Sequence, residues 1–186
     1  ANTYPTKPEI RDAVCPGWRI NPKRLMYVGT RMFQWAYERG IVRNLERNRL
    51  LLRVACQHVT DGDKVLLLVS RIEHGQLLYD MASTMLGGAA PVWFLHGILT
   101  NRHPVLAEFK DAPGGALMVG SPIFREGVDI PQLDTLILGG GGRSDMMVLQ
   151  QIGRALRRRP DKPTVPIYDV LDGPSRDSKD YLSEHT

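Results

Sequence analysis

Cysteine is scarce in this chain. Cys15 and Cys56 are the only two, and neither sits in a CxxC or Cys/His spacing, which excludes a disulfide framework and a structural zinc site. The five histidines are scattered and build no metal-ligand cluster. Long apolar runs are missing as well: the longest, Val65 to Val69, is far too short to span a membrane, and no secretory signal stands at the start. A phosphate-binding loop is also missing. GGGGRS (139–144) invites that reading, but G-x-x-x-x-G-K-[ST] would place Ile137 at its first glycine and Arg143 at its lysine. No Asp-Glu pair follows a strand to hold magnesium. We therefore expect a reducing, cytoplasmic setting, no membrane partner, no metal site of the chain's own, and no independent grip on nucleotide phosphates.

The composition is that of an ordinary globular protein. The chain has 186 residues, 42% hydrophobic and 24% charged, with a formal net charge of +4. That length suits one domain with an extra arm. The mild positive charge fits an anionic partner without demanding one. Residues 1–32 carry prolines at 5, 8, 16 and 22 and read as a linker and arm, with one short strand near Ile10–Val14. The chain begins at Ala1 without methionine, so we expect a fragment or a processed start. Residues 33–173 form the expected domain and 174–186 a tail.

Within the domain the pattern alternates. Gln34–Thr60 reads as one helix: Ile41, Leu45, Leu52, Ala55 and Val59 recur at helical spacing, while Glu38, Arg39, Arg43, Glu46 and Arg47 stay polar. Asp61-Gly62-Asp63 breaks it. Lys64–Ser70, Val92–Leu95, Ala116–Val119, Thr135–Leu138 and Val165–Val170 read as strands, and Glu73–Leu86, Arg102–Lys110 and Asp145–Leu156 as helices. Strand and helix alternating at these lengths predict an α/β fold: three layers, a mostly parallel central sheet, and helices on both faces. Binding loops in such sheets lie beyond the carboxyl ends of the strands.

Three segments stand where chemistry would sit. His96-Gly97 follows PVWFL, and SPIFREGVDIP (121–131) follows ALMVG. QQIGRALRRR (150–159) ends a helix, where Gln150, Arg154 and Arg157 share one face and Gly153 lets another surface come close. Arginine's planar fork of donors suits phosphate. Blander readings stand beside each: a solvated basic helix end, an ordinary turn around Gly127 and Asp129, and a bystander histidine at position 96. A small-molecule dinucleotide fold needs a glycine-rich turn after the first strand, which VSRIEHG lacks.

Taken together, the segments resemble the second RecA-like domain of superfamily 2 helicases, nearest to the branch of XPB-type translocases and phage recombination-repair helicases. KVLLLVSRIEHG (64–75) is similar to motif IV, FLHG (94–97) to the next segment, SPIFREGVDIP to motif V, and QQIGRALR (150–157) to motif VI, Q-x-x-G-R-x-x-R, without a gap. Ser121 stands where the family often has threonine. The resemblance covers Tyr37 to Leu171 and implies half of an ATP-dependent DNA helicase or translocase. It implies that Arg154 and Arg157 are arginine fingers supported by Gln150, and that Gly127 and Asp129 approach the nucleotide. It implies that Ser70, Arg71, His96, Gly97, Ser121 and Ile123 line the backbone of the tracked strand. ATP and Mg2+ would be held mainly by an N-terminal RecA-like domain of the same protein. The nucleic-acid partner would be single-stranded or forked DNA, with RNA open. A stand-alone nucleic-acid- or helicase-binding module without ATPase activity is the alternative.

Overall fold

The computed structural model describes residues 33–97, 103–121, 133–141 and 164–170. The expected strand at Ile10–Val14 and helix at Asp145–Leu156 lie outside them. Among the described residues five strands form one sheet: β1 Lys64–Leu68, β2 Val92–Leu95, β3 Ala116–Gly120, β4 Thr135–Leu138 and β5 Ile167–Asp169. Their order is β2-β3-β1-β4-β5, and every pairing is parallel. Val65 lies between Leu117 of β3 and Thr135 of β4, so the first of the described strands is the central one.

Central position explains composition. β1, β3 and β4 are buried on both faces, and their residues are correspondingly apolar with little alternation. Val65, Leu67 and Val69 meet one core, beneath α1 (Leu45–Thr60) and α2 (Ile72–Leu86), through Leu51, Leu52, Ala55, Val59, Leu78 and Ala82. Leu66 and Leu68 point the other way, against Leu106 and Phe109 of α3 (His103–Asp111). Each fully buried leucine contributes roughly 1.5–3 kcal/mol of transfer free energy, so the two layers together fix the strand register. Helices therefore cover both faces of a parallel sheet, the three-layer arrangement the alternation predicts. α2 ends at Gly87 in the left-handed region, φ 55°, with its N–H bonded to the Ser83 carbonyl, a conformation glycine adopts without steric cost.

The helix expected over Gln34–Thr60 is in fact two. Residues 33–37 are helical, Glu38–Val42 form a π-helical turn, and α1 begins only at Leu45. The cause is local. Asn44 is extended (φ −75°, ψ 96°) and its Oδ1 accepts the Arg47 N–H at 3.1 Å. An asparagine cap of this kind competes with continuation of the helix.

Edge strand β5 is short and exposed. Its Tyr168 hydroxyl shares a hydrogen bond with His58 Nε2 (2.9 Å), and His58 Nδ1 meets Asp63 Oδ2 at 2.8 Å, which ties the strand to the amino edge of the sheet.

Candidate functional site

Because the strands are parallel, their carboxyl ends open on one edge. Leu68 of β1 pairs with Gly120 of β3 and Leu138 of β4, and Leu95 of β2 pairs with Gly120. The residues leaving each strand emerge there: Ser70 and Arg71 after β1, His96 and Gly97 after β2, Ser121 after β3, and Gly139 onward after β4. Backbone bonds join these exits: Val69 N–H to Gly120 O (2.8 Å), Ser121 N–H to Leu95 O (3.0 Å), and both Gly139 and Gly140 N–H to Leu68 O (2.7 and 3.1 Å). The structure thus gathers Ser70, Arg71, His96, Gly97 and Ser121. Ile123, Gly127, Asp129, Gln150, Arg154 and Arg157 lie outside the described residues.

Two polar atoms on this edge are buried without a protein partner. Ser121 is 1% exposed and its Oγ makes no hydrogen bond, and neither does His96 Nδ1. The His96 ring lies against Phe94, centroids 4.9 Å apart. A buried, unsatisfied hydroxyl costs free energy.

Arg71 is held rather than free. It precedes α2, its guanidinium lies 4.4 Å over the Tyr37 ring, and it pairs with Glu38 Oε2 (3.2 Å) and Glu73 Oε1 (3.7 Å) and hydrogen-bonds Gln34. These contacts fix the direction of a cation that long-chain entropy would otherwise blur.

Beneath the edge lies a polar layer that the sequence reading missed. Arg47, expected on the polar helix face, is 5% exposed. Its Nη1 donates to the Gly139 carbonyl at 2.6 Å and its Nη2 to that of Gly140 at 3.4 Å. The Tyr37 hydroxyl accepts the Gly141 N–H at 3.4 Å. Beside Arg47, Asn48 donates from Nδ2 to the Val42 carbonyl (2.8 Å), and its Oδ1 lies 2.9 Å from His74 Nε2. Asn48 Oδ1 is an acceptor, so His74 Nε2 carries the proton, and Nδ1 is left buried with no partner. Burial first, and the Arg47 and Arg71 charges second, push the His74 imidazole down to about 4. The signal for Arg47 was its spacing: positions 47, 51, 55 and 59 lie one turn apart, and the last three are core.

Among the described residues no group of three or more His, Cys, Asp or Glu could hold a metal ion. None of the described helices is long and apolar enough to cross a membrane.

Comparison with known proteins places the chain in a family. The model for the helicase conserved C-terminal domain matches residues 46–159, more than half of the chain. The chain is 22% identical over 129 residues to the ATP-dependent DNA helicase uvsW of Enterobacteria phage T4, covering 68% of this chain and 25% of that protein. Its structure superposes on that of the phage protein with a TM-score of 0.58 over 75% of this chain and 28% of the other. It is 33% identical over 98 residues to the DNA 3'-5' translocase XPB2 of Sulfurisphaera tokodaii, covering 53% of this chain and 21% of that protein. The Sulfolobus solfataricus SWI2/SNF2 ATPase core in complex with double-stranded DNA shares the fold, with a TM-score of 0.57 at 15% identity over 82% of this chain and 34% of that one. The chain therefore spans about a quarter of the phage protein and about a fifth of the archaeal one.

Proposed function

The chain belongs to the helicase conserved C-terminal domain family, the second RecA-like domain of superfamily 2 helicases, and from that premise we propose that it is one half of an ATP-driven DNA motor. In this reading residues 33–173 are the motor domain, flanked by an arm (1–32) and a tail (174–186). A first RecA-like domain of the same protein holds ATP and Mg2+. In this reading this half contributes hydrogen-bond donors and cations.

The observation that carries the proposal is the gathering of Ser70, Arg71, His96, Gly97 and Ser121 on one carboxyl edge. Hydroxyls, imidazole, backbone amides and one braced arginine form a row able to grip a sugar-phosphate backbone without reading bases. Ile123, beyond the described residues, extends that row in the sequence. The unsatisfied Ser121 Oγ and His96 Nδ1 support it, since a bound strand would supply their partners. Single-stranded or forked DNA is the proposed partner, in keeping with relatives named as a DNA helicase and a DNA translocase. Gly127 and Asp129 face the nucleotide. Arg154 and Arg157, seconded by Gln150, reach the charge that develops on the transferring phosphate when the two domains close. An arginine supplied across a closing interface makes hydrolysis depend on movement.

Steady-state ATPase kinetics of the full-length protein test this. Arg154→Ala or Arg157→Ala lowers kcat by about three orders of magnitude with little change in ATP binding. Arg154→Lys does not rescue, because a point charge cannot reproduce the fork. Arg158→Ala and Arg159→Ala, outside the motif spacing, lose far less. Equal, modest losses at all four positions, mimicked by added salt, would mean an interchangeable basic patch and would refute the assignment.

A further inference from the structure

The loop after β4 has no side chains with which to be positioned. Gly139, Gly140, Gly141 and Gly142 follow one another, and a tetraglycine carries the largest backbone entropy a loop can have. Whatever fixes it must bond to its backbone. The structure does so at each described glycine. The Gly139 and Gly140 amides donate to the Leu68 carbonyl, and their carbonyls accept from Arg47. The Gly141 amide donates to the Tyr37 hydroxyl. A Cβ at Gly139 would lie 3.1 Å from both the Leu68 carbonyl oxygen and a Leu67 methyl, so the loop hugs the end of β1.

Tyr37 also reaches the neighbouring strand exit. Tyr37 is buried, 4% exposed, with the Arg71 guanidinium stacked 4.4 Å above its ring. One tyrosine therefore touches Arg71 through its face and the glycine loop through its hydroxyl. Arg47 is nearly fully buried, a costly place for a guanidinium, and it spends its donors on two carbonyls of that loop. An apolar side chain could fill the space but could not hold the carbonyls.

We propose that Arg47 and Tyr37 are positioning residues that lock the Gly139–Gly141 loop and tie it to Arg71, so that a nucleic-acid backbone bound at the β1 exit sets the loop leading toward Gln150, Arg154 and Arg157. This rests on the two-domain motor reading above. Strand contact at Arg71 acts on Tyr37, Tyr37 and Arg47 act on the glycine backbone, and the loop's geometry sets where the next motif in the chain begins. Neither residue touches ATP or the strand.

The experiment uses the full-length protein and four variants: Tyr37→Phe, Arg47→Lys, Arg47→Ala and Arg154→Ala. ATPase kcat and KM for ATP are measured with and without single-stranded DNA, and amide hydrogen exchange is followed at Gly140 and Gly141. Tyr37→Phe keeps the ring under Arg71 and loses only the hydroxyl, so DNA stimulation of kcat falls about fivefold while KM for ATP stays within about twofold. Arg47→Ala loses about tenfold in stimulated kcat and Arg47→Lys falls between it and wild type, since a lysine restores a donor but not the fork. Both Arg47 variants speed exchange at Gly140 and Gly141. Wild-type stimulation and wild-type exchange in Tyr37→Phe and Arg47→Lys overturn the proposal, and if Arg47→Ala fails to fold, Tyr37→Phe decides alone. Arg154→Ala separates the two readings. If it leaves kcat intact while Tyr37→Phe and Arg47→Lys still lose stimulation and loop protection, the arginine-finger reading falls and the brace stands. If Arg154→Ala abolishes turnover and the other variants behave as wild type, the brace falls.

Discussion

Acid should unfold this domain earlier than its carboxylates alone would dictate, and His74 is the reason. The side chain is fully buried, Nε2 is spent on Asn48, and a proton added at Nδ1 would find no acceptor. It would also sit beside the Arg47 and Arg71 charges. In the unfolded chain the imidazole titrates near 6.5; in the fold it does so at about 4. Above 6.5 neither state binds the proton, and His74 contributes no pH dependence. Between 6.5 and about 4 the unfolded state takes up a proton that the folded state refuses, so stability falls as pH falls. Below about 4 the fold is protonated too and the loss levels off. At about 1.4 kcal/mol per pH unit, the full window is worth about 3 kcal/mol, a large share of a typical domain's stability. Urea unfolding of the chain from pH 7 to 4.5 measures it, with His74→Gln as the reference. Glutamine can still donate to Asn48 Oδ1 but does not titrate, so the carboxylate contribution is common to both curves. The wild-type curve should drop below the variant's by about 2–3 kcal/mol as pH falls to 4.5. Curves that stay parallel across that range would refute the reasoning.

Three further outcomes are expected. Gly115→Ala should destabilise the chain by about 3 kcal/mol or more, because a Cβ there would lie 1.8 Å from the Val59 carbonyl oxygen, which is backbone and cannot swing away; a melting temperature unchanged from wild type would contradict this. Gly75→Ala meets the Phe94 ring at 2.4 Å, a side chain that can turn, and should cost less, about 1–3 kcal/mol by chemical denaturation. The isolated chain should bind single-stranded DNA weakly and without sequence preference, with affinity falling as salt rises, and should release no phosphate from ATP above background; salt-independent binding in a fluorescence titration, or robust turnover, would count against half a motor.

The central strands were legible because β1, β3 and β4 are apolar runs bounded by Gly or Asp, and burial on both faces leaves no other composition for a central parallel strand. Their spatial order was not legible: nothing in KVLLL says that it lies between β3 and β4. His96 and Ser121 were legible as strand exits, because a parallel sheet puts all its exits on one edge, whereas Ser70 and Arg71 came only with the resemblance to motif IV. The layer supporting them could not be found by the rule that charged residues face water. Arg47 breaks that rule since the glycine carbonyls need a strong buried donor. His74 breaks it because Asn48 gives it one good partner. The helix break at Asn44 was missed for a different reason: periodicity detects a face, not a cap, and the capping asparagine sits in a run that keeps its helical spacing. Within GGGGRS, Gly139–Gly141 are gripped through their own backbone.

The strand order also has a consequence for how the chain is made. β1 leaves the ribosome before the other four described strands, yet both of its hydrogen-bonding partners, β3 and β4, are synthesised after α2, β2 and α3. Until they arrive, an apolar strand waits with two open edges, the arrangement most prone to pairing with a stranger. Folding therefore cannot proceed in step with translation: the sheet grows outward from its oldest strand only once its youngest central one has emerged, and the wait is spent under α1 and α2, which reach the exit tunnel on either side of β1 and can shield one of its faces.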